Sequence, residues 1–165
     1  MEDILQYENT EPEVVNISNP EDIIALYPDA SLEEVEKIRT NVTKDIEKAK
    51  KGEQIIYGLK IGGKIVATAQ LQLIHDKLEY ADGEKRVRIY HMRTAEEFRG
   101  KGLATKLMEI AEEEAKKRNF KELSLGVEEN NMPALTLYKK LGFQEYMRET
   151  DGNGKTVIGM LKKFR

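Results

Sequence analysis

The chain has 165 residues, 39% of them apolar and 35% charged, with a formal net charge of −3. It is the size of one domain and apolar enough to build a core, which excludes a disordered chain. It has no Cys and only two His, so disulfides, Cys-ligated metals and a Cys nucleophile are excluded and a His-built metal site is not expected.

Lys and Arg alternate with Asp and Glu without forming a basic stripe, which argues against nucleic acid as the main partner. Met1-Glu2-Asp3-Ile4 is acidic and opens no long apolar run, so no signal peptide is expected. No stretch approaches the ~20 apolar residues of a membrane span. The expectation is a soluble, cytoplasmic protein with no membrane partner.

In chain order, Val14 to Ile17 reads as a short first strand, and residues 21–27, between Pro20 and Pro28, as one or two helical turns. Ser31 and Glu34 form a capping box for a helix whose apolar positions are Val35, Ile38, Val42, Ile46 and Ala49. Gly52 is its left-handed cap. Residues 54–61 and 64–74 read as strands joined by Gly62-Gly63, a hairpin signal. Residues 86–94 are a third strand.

A helix over residues 103–118 follows, with Leu103, Leu107, Ile110 and Ala111 on one face. Its outer face pairs Glu112 with Lys116, Glu113 with Lys117 and Glu114 with Arg118. Residues 123–127 are a short buried strand, Pro133 sits in the first turn of another helix, and Gly142 ends it. Residues 143–150 and 155–161 close the chain as a hairpin. The order predicts an α+β fold with a mixed, mostly antiparallel sheet flanked by helices, in one domain spanning residues 1–165.

Between the third strand and its helix lies Glu97-Phe98-Arg99-Gly100-Lys101-Gly102-Leu103-Ala104-Thr105. Two glycines allow a tight turn, and the helix start offers free amides and the positive end of its dipole. That is an anion site, with Arg99 and Lys101 beside it. The P-loop and dinucleotide patterns both fail, since each needs a glycine where Thr105 stands. After the next strand comes Asn131-Met132-Pro133-Ala134-Leu135-Thr136-Leu137-Tyr138-Lys139-Lys140-Leu141-Gly142-Phe143.

These two segments resemble the GNAT superfamily of N-acetyltransferases. Arg99, Gly102 and Ala104 match its coenzyme A signature; Asn131, Ala134, Leu137, Tyr138, Gly142 and Phe143 match its second motif. The resemblance runs from about Gln54 to the C-terminus. It implies a mixed sheet with a splayed central strand pair and acetyl-coenzyme A as cosubstrate. It also implies that the acceptor is a small-molecule or peptide amine attacked directly in a ternary complex.

By the same resemblance, residues 100–104 with Thr105 cradle the pyrophosphate, and Asn131 meets the pantetheine arm. Tyr138 is the acid for the departing thiolate. Backbone near Met92 and Thr94 faces the acetyl carbonyl. The family often has Val or Ile at the position of Thr94 and Pro at that of Glu96. Gly126, inside a strand, suggests a bulge or a close approach. His75, His91, Glu128 and Glu129 are candidate general bases, beside a water chain. A coenzyme A-binding sensor without turnover, and a transferase using another acyl donor, stay open. So do the acceptor's identity and the oligomeric state, a homodimer being one option.

Overall fold

A computed structural model describes residues 4–165; the acidic Met1-Glu2-Asp3 start lies outside them. The elements are strand β1 (Glu13–Asn16), helices α1 (Pro20–Ile24) and α2 (Leu32–Lys50), and strands β2 (Gln54–Ile61), β3 (Lys64–Gln72) and β4 (Arg86–Thr94). Helix α3 (Leu103–Lys117), strand β5 (Glu122–Glu128), helix α4 (Met132–Lys140) and strands β6 (Gln144–Thr150) and β7 (Thr156–Lys163) follow. Short 3₁₀ turns at Ile4–Tyr7 and Glu96–Phe98 add to what the sequence predicts. The seven strands are hydrogen bonded in the order β1-β2-β3-β4-β5-β7-β6. Of the registers described, β4–β5 is parallel, and β1–β2, β5–β7 and β6–β7 are antiparallel. No described helix is long and apolar enough to cross a membrane.

Internal contacts group the chain into two compact units, Met1–Leu71 with His91–Ile110, and Gln72–Tyr90 with Ala111–Arg165. In the first, Ile17, Ile23, Val42, Ile46 and Ile56 form a core cluster, joined by Ile38 and Ala49 of α2. On α2, Ile38, Val42, Ile46 and Ala49 keep the helical period read from the sequence. Ser31 caps α2 as expected: its Oγ accepts from Glu34 N–H at 3.2 Å, and Glu34 Oε2 accepts from Ser31 N–H at 2.7 Å. Gly62 and Gly63 turn the β2–β3 hairpin at φ 57° and 78°, values that a glycine pair adopts without a Cβ clash.

In the second unit, Leu123, Leu125 and Val127 of β5 are buried, as are Leu135 and Phe143 around α4. The β4–β5 ladder is short. Arg86 faces Glu122, Val87 faces Leu123 and Arg88 faces Ser124, and there the pairing ends, although both strands continue.

Helix α3 stops one residue before the predicted end, and Asn119 at φ 67° makes the left-handed exit. Lys117 pairs with Glu114 at 3.6 Å rather than with Glu113. Glu112 serves both Lys116, at 3.1 Å, and Lys162 of β7, at 2.8 Å. Gly126 is no bulge, because it pairs in unbroken register with Gly159; the irregularity of this sheet region lies in β6, between Glu145 and Met147.

Candidate active site

The glycine loop belongs to the first unit. Its entry is pinned where Ala95 N–H bonds Val66 O at 2.8 Å, and Phe98 is buried as an anchor. Arg99 Nε donates to Thr94 O at 3.3 Å, which holds the exposed guanidinium stem against the end of β4. Gly100 and Gly102 follow at φ 76° and 80°. A Cβ built on either meets nothing within 4 Å, so torsion, and not crowding, demands glycine at both.

Lys106 N–H bonds Gly102 O at 3.0 Å, the first helical bond of α3. The amides of Leu103, Ala104 and Thr105 therefore have no partner one turn back. Leu103 and Leu107 are buried and fix the helix, while Lys101 stays exposed. Open space over two left-handed glycines, three free amides and a helix dipole fit a diphosphate.

Before the loop, His91 sits in β4 at φ 51°, a conformation that non-glycine residues seldom take. Met92 and Thr94 are half-buried. Arg93 is held by Leu26 O, at 2.9 Å from its Nε, and lies 3.8 Å from the centroid of the Tyr27 ring. A cavity of about 560 Å³ is lined by Asp22, Asp29, Lys64, Arg93, Glu96 and Arg99 among others. It includes the loop's entry and none of residues 100–105.

The second motif belongs to the second unit. Asn131 Oδ1 accepts from Ala134 N–H at 3.3 Å and caps α4. The cap uses the side-chain oxygen and leaves the amide NH₂ as a donor. Tyr138 is half-buried, its ring edge-on to Phe143 at 6.0 Å. Burial pushes its phenol above the ordinary value, so it is neutral at pH 7. No protein hydrogen bond engages that hydroxyl among the described residues. Gly142, at φ 95°, lets Phe143 N–H return to Tyr138 O at 3.0 Å, which fixes the end of the helix under the ring.

The candidate bases are differently placed. Glu128 pairs with Lys155 at 3.4 Å and Glu129 with Arg148 at 3.6 Å. His75 Nδ1 accepts from Lys77 N–H at 2.9 Å, and its ring meets Tyr80 edge-on. His91 is exposed.

Sequence reasoning missed one cluster of the second unit. Tyr80 donates to Glu149 Oε1 at 2.6 Å, Lys77 Nζ reaches Glu149 Oε2 at 2.8 Å, and the Arg88 guanidinium lies 4.3 Å from the centre of the Tyr80 ring. Burial, then the Glu149 hydrogen bond, pushes the Tyr80 phenol far up, while Lys77 and then Tyr80 hold Glu149 below the usual carboxylate range. The signal was present: Arg86, Arg88 and Tyr90 alternate and so share one face of β4.

Residues 13–143 match the family model described as the acetyltransferase (GNAT) family. The chain belongs to this family. It is 40% identical over 52 residues to N-alpha-acetyltransferase 30 of Schizosaccharomyces pombe, a match covering 32% of this chain and 35% of that protein. The chain thus spans about a third of the length of that curated relative.

Among solved structures it resembles the PaiA N-acetyltransferase of Thermoplasma acidophilum in complex with coenzyme A. That match has a TM-score of 0.70 at 18% identity, over 94% of this chain and 100% of the other. The ribosomal-protein-S18-alanine N-acetyltransferase of Escherichia coli has a TM-score of 0.68 at 20% identity, over 93% and 94%. These two likenesses are of fold.

Proposed function

We propose that the chain forms one acetyltransferase domain over residues 1–165 that moves an acetyl group from acetyl-coenzyme A to a primary amine of a small molecule or peptide. The observation that carries this reading is the loop at Gly100 and Gly102, left-handed at both glycines and followed by the free amides of α3. Family membership supports it, as does the coenzyme A of the Thermoplasma acidophilum relative. A cytoplasmic location goes with it.

Acetyl-coenzyme A, when bound, supplies an activated thioester. Amides of residues 100–105 hold its diphosphate, with Arg99 and Lys101 adding positive charge. As the family resemblance implies, Asn131 would donate from its NH₂ to the pantetheine arm, and backbone near Met92 and Thr94 would meet the acetyl carbonyl. The acceptor amine, once neutral, attacks that carbonyl directly. Its nitrogen forms the amide bond, the carbon–sulfur bond breaks, and the thiolate takes a proton from Tyr138. The excess ammonium proton leaves to a base or water. A phenol kept neutral by burial suits the acid role.

Direct transfer is favoured because the chain has no Cys to carry an acetyl group. Initial rates at varied donor and acceptor give intersecting double-reciprocal lines. Parallel lines, with a species about 42 Da heavier on enzyme mixed with donor alone, overturn direct attack. A protein that binds acetyl-coenzyme A and acetylates no amine is the sensor instead.

A further inference from the structure

We infer that the acceptor carries a carboxylate as well as its amine, and that Arg88 binds that carboxylate. The inference rests on the acetyl-transfer reading, which supplies the acceptor. It comes from a contrast between two arginines on one face of β4, two residues apart.

Arg86 is satisfied by this chain. Its Nε meets Glu122 Oε2 at 2.8 Å, its Nη1 donates to Glu79 O at 2.7 Å, and it lies 5.1 Å from the centre of the Tyr146 ring. Among the described residues Arg88 has no such hydrogen-bond or ion-pair partners. Its guanidinium stands 4.3 Å and 5.6 Å from the ring centres of Tyr80 and Tyr90, and its Nε is buried with no hydrogen-bond partner. None of the ion pairs among the described residues includes it. Burial strips much of its hydration, which pulls its pKa below the ordinary arginine value.

The described residues offer this fork no paired anion. Glu149, whose charge reaches it, is committed to Tyr80 and Lys77. Ser124, opposite Arg88 in the ladder, turns its hydroxyl to Tyr80 O at 2.6 Å. The next residue on that face of β5 is Gly126, where a Cβ would lie 3.5 Å from Arg88 Nη2. The ladder also ends at Arg88 and Ser124, so the guanidinium stands where the two strands part.

Rings near a guanidinium face hold its plane and leave its edge, where the N–H groups point, for a ligand. A planar fork that has lost water and lacks a counterion matches a carboxylate in two-point contact. The single positive charge calls for a single negative one.

The test uses the full chain and acetyl-coenzyme A, with release of free thiol as the readout. The acceptors are L-amino acids and dipeptides, each as the free acid and as the carboxamide, together with 1,4-diaminobutane. For wild type, kcat/KM for acids exceeds that for the matched amides roughly 10–100-fold, through KM. In Arg88→Gln that ratio falls towards one; Arg88→Lys, which keeps the charge and loses the fork, falls between. A residue that only packs against two tyrosines would not move this ratio. Melting temperature is followed for both variants, and if the Gln variant unfolds, the Lys variant decides. A wild type that prefers amides or the diamine overturns the inference and leaves acetyl transfer standing, as does a ratio unchanged in the variants. A protein that binds acetyl-coenzyme A and acetylates nothing overturns the functional reading and this inference with it.

Discussion

The hydroxyl of Tyr57, on β2, donates to the carbonyl of Leu107, in the second turn of α3, at 2.6 Å. Both residues are buried, and they are 50 positions apart in sequence. A β-sheet side chain thereby ties down the helix whose first turn carries the free amides. Tyr57→Phe keeps the ring and removes the bond, at a cost of about 0.5–1.5 kcal/mol. The expected result is a melting temperature lower by roughly 1–6 °C. An unchanged melting temperature would mean that the bond contributes nothing net.

At Gly102 the open space over the backbone shifts the argument from bulk to torsion. A β-branched residue at φ near 80° is strained by at least about 1–2 kcal/mol, and the loop relieves that strain by turning its amides away. Gly102→Val should weaken acetyl-coenzyme A binding at least tenfold by calorimetry while the protein stays folded. Equal affinity in the two proteins removes the loop from the binding argument.

Tyr138→Phe deletes a hydroxyl that has no protein hydrogen-bond partner among the described residues, so stability should barely change. Turnover should fall by about 10²–10⁴-fold and donor affinity should hold. Wild-type turnover under conditions where chemistry limits the rate would reduce Tyr138 to a packing residue against Phe143.

Asn131 is assigned two jobs with two different atoms. Asn131→Asp keeps an oxygen for Ala134 N–H at a helix start that favours negative charge, and it loses the NH₂ donor. The melting temperature should hold while KM for acetyl-coenzyme A rises about 2–10-fold. Asn131→Ala should lose both, with about 1 kcal/mol of stability. An Asp variant with unchanged KM would leave capping as the side chain's one role.

Glu122 is 2% exposed and meets Arg86 at 2.8 Å and Lys85 at 3.2 Å. Burial alone would raise its carboxyl, but the hydrogen bonds and charge of Arg86 and Lys85 outweigh it and hold the pKa below the ordinary 4.5. A depressed carboxyl contributes its full stability above the unfolded value and loses it as pH falls through the folded one. Glu122→Gln should cost about 1–3 kcal/mol near pH 7, with the gap to wild type narrowing as pH falls below about 4.5. A gap independent of pH would show that the charge is not what stabilises.

What the chain states locally, the structure repeats. The capping box of Ser31 and Glu34, the Gly62-Gly63 turn, the glycine loop and the Asn131-Met132-Pro133 helix start each depend on torsions and bonds spanning a few residues. The sequence therefore specified them, and with them the family. Other features needed partners far along the chain. Glu112 acquired Lys162 from β7, 50 residues away. Of the two readings of Gly126, the bulge gave way to the close approach: it pairs regularly with Gly159, and a Cβ there would meet Val157 at 3.2 Å and Arg88 at 3.5 Å. Tyr57 found a helix carbonyl, and Arg88 was left beside the Tyr80 and Tyr90 rings with no ion-pair partner among the described residues. Periodicity says which face of a strand a side chain occupies; which groups desolvate it, and whether any of them answers its charge, is decided when distant segments pack.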